Sequence, residues 1–314
     1  MALAEFLEDD VILYLNTLLV THHWNAGRVR FRRVSQWQEK RLGYDGTVAL
    51  AAPLYLQAKR PQYVAAGSRS KLHRERQRLG FDTHRGFFTI SPRREANTRE
   101  FRQHNALWAM HQRGQHALYV APLFHTEEEL DIHYEWLPFR RRFGYGRLPL
   151  HDYPLFPLRI DFEHIPLFHG LAAIPPHRSL AQSEPNHSYA YSHAREVSFH
   201  SKPESIHGLK WFTLSELLRG IVETRANAQP LGEGSAAAAA TFLSLVHEVA
   251  PGSTGTELVR SAVQEVLPRH VRRGGTDART ILHALKPEAR FVVIGYVLWE
   301  HFRIAQFLIV YDRP

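Results

Sequence analysis

Leu7, Val11, Tyr14, Leu15 and Leu18 recur at helical spacing, with Glu5 and Glu8 on the more polar side, and this pattern predicts an amphipathic helix over residues 3–20. RVRFRRV at 28–34 alternates in part and reads as a strand whose arginines suit a sheet edge or a groove wall. After LGYDG, the stretches TVALA and LYLQAK flank Ala52-Pro53, which predicts two short antiparallel strands joined by a turn. Alternation along the second strand places Leu54, Leu56 and Ala58 on one face and Tyr55, Gln57 and Lys59 on the other.

Further along, residues 98–113 read as a helix with Thr98 as N-cap and Gly114 as stop. HALYVAP (116–122) reads as a buried strand, and Thr126 with Glu129 forms a capping box that opens another helix. Helix, strands, helix, strand, helix is an α/β layer order. From 137 to 210 the composition turns to Pro, His and aromatics, which predicts short strands and ordered loops. Helices return at 213–225, behind a second capping box of Thr213 and Glu216. PLGEGS (230–235) reads as a linker and the alanines at 236–240 as the start of a helix running to about 249. Helices at 256–267 and 277–285 follow, and a hydrophobic strand pair at 291–299 and 302–311 closes the chain. The division expected is an α/β core over 1–136 and a mixed helical and β region over 137–314.

Composition narrows the chemistry. The 314 residues are 44% hydrophobic and 22% charged, an ordinary globular balance. A formal charge of +8, with 21 His besides, calls for an anionic partner. The absence of Cys excludes a disulfide scaffold, a Cys-ligated zinc site, an iron–sulfur cluster and a thiol nucleophile. MALAEFLEDD lacks the positive charge of an export signal, and the apolar run from Phe291 to Val310 is interrupted by Glu300, His301, Arg303 and Gln306. A cytoplasmic protein without a membrane partner is expected. Neither a phosphate-binding loop of the GxxxxGK[ST] form nor a Gly-x-Ser-x-Gly elbow is present. The histidines between 164 and 207 lack the tight spacing of zinc ligands.

The segment EKRLGYDG(x)10QAKRP carries the chemistry. In the expected hairpin, Asp45 at the start of one strand and Gln57 on its partner converge, and Lys59, two residues on, faces the same way. An acid, a neutral oxygen and an ammonium at a sheet end suit metal-assisted phosphodiester hydrolysis. Hard oxygens hold Mg²⁺, and the lysine acts on the attacking water or on charge developing at phosphorus. Residues 69–102 add ten Lys/Arg against four Asp/Glu, a density suited to phosphate contacts.

With GYD at 43–45, QAK at 57–59 and the hydrophobic LYL before it, the chain resembles the PD-(D/E)xK nuclease superfamily, in its Mrr-like branch where Gln replaces the last acid. The resemblance covers roughly residues 1–136. It implies a restriction-endonuclease-like fold and a Mg²⁺-dependent endonuclease (Mn²⁺ substituting), acting on DNA ahead of RNA in prokaryotic defence or restriction. It also implies a further acid from the N-terminal helix, Glu8 or Glu5, with Glu39 as the rival, and a polar helix residue at Gln103. On this reading Asp45, Gln57 and Glu39 hold the metal, Lys59 is the catalytic cation, and Glu8 is the alternative acid. Arg60, Arg69, Lys71, Arg74, Arg76, Arg78 and Gln103 are expected to touch nucleic acid. Residues 137–314 could carry a partner-protein or self-association surface. The competing expectation is a nucleic-acid-binding or effector-complex subunit that keeps the fold without turnover.

Overall fold

Val48–Ala58 form one uninterrupted strand, β3, so the hairpin expected around Ala52-Pro53 does not form. Position explains why proline is tolerated there. Ala51 and Lys59 direct their N–H groups to Gln229 O and Val120 O, the flank where strand β6 (His116–Pro122) lies. Alternation turns position 53 to the same flank. Pairing with β6 begins only at Leu54 opposite His116, so no ladder bond is missed at Pro53. The structure is a computed structural model and describes residues 1–21, 29–34, 48–95, 100–134, 170–183, 187–200, 204–205, 212–249, 253–267 and 277–312.

β3 lies inside a six-stranded mixed sheet. Its order is β11 (Phe212–Thr213), β7 (Leu171–Ile174), β6, β3, β12 (Ala305–Asp312) and β2 (Val29–Arg33). β3 and β6 are parallel, and the other pairings are antiparallel. The alternation read along β3 holds. Leu54, Leu56 and Ala58 pack with helices α1 (Glu8–Thr21) and α5 (Leu214–Thr224). Tyr55 faces the opposite layer of α3 (Arg102–Gln112), α6 (Leu231–Val249) and α9 (Pro287–Phe302). The protein is therefore α/β, with a helix layer on each face of this sheet.

The second sheet is antiparallel throughout, in the order β1 (Ala2–Leu3), β4 (Gln62–Val64), β5 (Phe87–Ile90), β8 (Tyr189–Tyr191), β9 (Val197–Phe199) and β10 (Glu204–Ser205). Helix α2 (Lys71–Arg78) packs on it. Strands from 1–136 and from 137–314 stand side by side in both sheets, so the two segments share their cores.

Several expected elements change. The first helix begins at Glu8, because Ala2 and Leu3 pair with β4 instead. Val11, Tyr14, Leu15 and Leu18 are buried, whereas Leu7 lies before the helix and is exposed. PLGEGS is not a linker: Gly234 N donates to Pro230 O at 2.8 Å, and α6 starts at Leu231. Residues 291–299 are helix rather than strand. Pro287 starts α9, and nearly all sides of the helix are buried between the mixed sheet and helices α6 and α7 (Ser253–Val266), with α8 (Ala278–His283) against its first turns through Arg290 and the Leu282 carbonyl. A helix hydrophobic all round cannot be told from a strand by periodicity. The last strand does form, as β12, and enters between β3 and β2 as an inner strand.

Other expectations hold. β2 is an edge strand, Gly114 stops α3 at φ +74°, and both capping boxes are made. Thr98 lies outside the described residues. Among the described residues no helix is long and apolar enough to cross a membrane.

Candidate active site

The site is built where β3 ends. Gln57 is 1% exposed and lies beside Tyr119 of β6. Its Nε2 donates to Gln103 Oε1 at 3.0 Å and to the Phe302 carbonyl at 3.3 Å. A carbonyl only accepts, so Phe302 fixes which end of the Gln57 amide carries nitrogen. Gln57 Oε1 is left buried with no hydrogen-bond partner. Such an acceptor is costly unless a donor or a cation meets it.

Lys59 is 4% exposed. Its Nζ lies 3.6 Å from a Glu8 carboxylate oxygen at the N-terminus of α1. Burial lowers the Lys59 pKa, Glu8 pulls it back up, and the nearby Arg93 charge lowers it further. A mostly desolvated ammonium facing one half-exposed carboxylate exerts its field strongly on an anion placed beside it. Glu5 is turned to another element: its Oε2 accepts from Glu127 N at 2.9 Å, at the start of helix α4 (127–134). The geometry therefore favours Glu8 over Glu5.

The hairpin that placed Asp45 next to Gln57 is absent, since Val48 and Gln57 sit about 30 Å apart along one strand at ~3.3 Å per residue. Asp45 and Glu39 lie outside the described residues. No cluster of three or more His, Cys, Asp or Glu that could hold a metal occurs among the described residues.

The basic segment divides. Arg69, Arg74 and Arg78 are exposed, and Lys71 is exposed with Glu75 at 3.5 Å. Arg76 is fully buried, contrary to its expected nucleic-acid contact. It bonds Ala190 O at 3.0 Å, Ser198 Oγ at 2.7 Å and Ser192 Oγ at 3.2 Å, and pairs with Glu196 at 3.4 Å. Burial brings its pKa down to about 10, with Glu196 opposing, so it stays charged at neutral pH. Arg60 is half-buried and donates from Nε to Ala4 O at 2.9 Å, which ties the exit of β3 to the segment before α1.

A pair that the sequence pattern does not mark pins α3. Tyr119 OH lies 2.6 Å from His104 Nδ1, and His104 Nε2 lies 2.7 Å from Arg178 O. Because Arg178 O accepts, Nε2 carries the hydrogen and Nδ1 accepts from Tyr119. Burial pushes the His104 pKa down to about 3. Gln103 and His104 are adjacent, so this lock also holds Gln103 against Gln57. The one local signal is that Gln103 and His104 fall on the same half of the helix as Ala106, Leu107 and Met110, which are buried. No family model, curated protein or solved structure matches the chain.

Proposed function

We propose that the protein is a Mg²⁺-dependent phosphodiesterase of the PD-(D/E)xK type acting on nucleic acid, DNA ahead of RNA, in a defence or restriction role. The observation that supports this most is the orphaned Gln57 oxygen two residues before the buried Lys59, whose ammonium pairs with the half-exposed Glu8 carboxylate at the end of β3. Gln57 Oε1 and the Glu8 carboxylate are hard oxygen donors of the kind Mg²⁺ takes, with Asp45 and Glu39 as the remaining acids to test. When bound, the ion would polarise the phosphate and the attacking water.

The chain's own contribution is positional and electrostatic. Gln103 and the Phe302 carbonyl hold the Gln57 amide so that its oxygen faces away from them. Glu8 holds the Lys59 ammonium at the end of the strand, where it can meet a non-bridging phosphate oxygen and the charge that builds there.

A second reading, a binding subunit without turnover, is favoured by one observation: position 57 carries a neutral amide where the last acid of the motif would stand, which removes one negative metal ligand. Calorimetric Mn²⁺ titration with a matched plasmid-cleavage assay separates the two. Gln57→Glu should bind metal more tightly and keep or gain cleavage, and Asp45→Ala should lose both. Wild-type protein that neither binds Mn²⁺ nor cuts would select the second reading.

A further inference from the structure

The end of the mixed sheet that carries Gln57 also carries Arg33, Trp299 and Arg303, to which the chemistry above gives no role. Arg33 ends β2 and pairs with Phe307 of β12. Trp299 lies in the last turn of α9, and Arg303 is the C-cap of that helix. The residue before Arg303 supplies the carbonyl that holds Gln57, so this turn is fastened to the candidate site. Along the same rim, Glu8 reaches Lys59 while the next residue, Asp9, acts electrostatically on Arg33.

Both guanidiniums are held by one indole. Arg33 Cζ lies 4.7 Å and Arg303 Cζ 5.4 Å from the Trp299 ring centroid. Neither has a carboxylate in ion-pair contact among the described residues. An aromatic face attracts a cation without occupying its N–H donors, so two positive groups are positioned with their donors free for an anion.

Arg303 has φ +52°, at a helix C-terminus where glycine is the easiest residue to accommodate. Arg225 provides an internal control. It ends α5 at φ +51° and stacks on Tyr311 at 5.9 Å. Tyr311 pairs with Leu50, however, at the far end of β3 from Gln57.

We propose that Arg33, Trp299 and Arg303 form a phosphate-positioning subsite that grips the nucleic-acid strand one or more phosphates away from the group presented to Gln57 and Lys59. This rests on reading that site as one for phosphodiesters. A nucleic-acid strand fits because its charges repeat along the chain, so one phosphate can meet the paired guanidiniums while another meets Lys59.

The test is equilibrium binding of a fluorescein-labelled oligonucleotide to the full chain, in EDTA and at several salt concentrations, with Arg303→Gly, Arg33→Ala and Arg225→Gly. Arg303→Gly and Arg33→Ala should each weaken binding roughly 5- to 10-fold near 0.1 M salt. Each should also make the log–log salt slope shallower by about 0.7–0.9, the loss of one phosphate contact. Arg303→Gly should melt no lower than wild type, because glycine relieves the left-handed backbone, so its binding defect cannot be unfolding. Arg225→Gly should leave binding unchanged.

Wild-type affinity and slope in both Arg303→Gly and Arg33→Ala overturn the subsite, as does an equal loss in Arg225→Gly. If those variants bind normally while wild type cleaves in Mg²⁺, the subsite fails and the active-site reading stands. If wild type never cleaves yet only the Arg33 and Arg303 variants bind weakly, the subsite stands and the hydrolase reading fails.

Discussion

Replacing Arg76 by Met should destabilise the fold without weakening nucleic-acid binding. The substitution removes three hydrogen bonds, at 3.0, 2.7 and 3.2 Å, together with the Glu196 pair. It leaves the Ser198 hydroxyl and the Ala190 carbonyl buried without that donor, while Glu196, 32% exposed, can return to water. Breaking a buried charged network costs about 3–5 kcal/mol, and the methionine side chain recovers about 1 by filling the space between Phe81 and Phe87, leaving roughly 3. With an unfolding entropy of ~2.1 cal/mol/K per residue, the 314-residue chain loses about 5 °C in Tm if it melts as one unit. Calorimetric melting paired with filter binding measures both quantities, with Arg74→Ala as the exposed comparison. Arg76→Met with an unchanged Tm and a shallower salt slope would refute the structural assignment and return Arg76 to the nucleic-acid face.

Gln103→Leu removes one of the two oxygens that accept from Gln57 Nε2, and cleavage should fall about 10-fold with a stability loss near 1 kcal/mol, read by single-turnover kinetics and urea melts. His104 is neutral in the fold, with its pKa held down to about 3, whereas an unfolded histidine titrates near 6.5. The unfolded chain therefore takes up the proton first as pH falls, and stability drops below pH ~6.5 by about 2 kcal/mol at pH 5. His104→Gln should flatten that acid limb in urea melts at pH 7 and 5. Gly295→Ala puts a methyl group 2.9 Å from Gln306 Oε1 and 3.1 Å from Val34 Cγ1, and should cost about 1–3 kcal/mol in the same melts.

What was legible in the sequence was local. The alternation from Leu54 to Lys59 sorts those side chains onto the faces the sheet gives them, and Thr126–Glu129 and Thr213–Glu216 announce their helices because a capping box is complete within four residues. What was not legible depends on distant partners. Pro53 reads as a turn unless it is known that β6 begins only one residue later. Phe291 to Leu298 reads as a strand until helices stand on its other sides. In KLHRERQR, the buried arginine cannot be told from its exposed neighbours, because Ser192, Glu196 and Ser198, more than 110 residues away, select Arg76. The candidate site shows the same division. QAK marked Gln57 and Lys59, but the Phe302 carbonyl that fixes the Gln57 amide comes from the other end of the chain.

Single-turnover cleavage of end-labelled DNA in Mg²⁺, comparing wild type with Lys59→Met at saturating protein, shows whether the buried ammonium at the end of β3 acts on a phosphodiester. Wild type should cut only with the metal present, and Lys59→Met should lose rate on the order of a hundredfold or more at saturating protein, well beyond the roughly 5- to 10-fold affinity loss of one phosphate contact. Equal cleavage rates in the two proteins would leave the Lys59 ammonium with no part in the reaction.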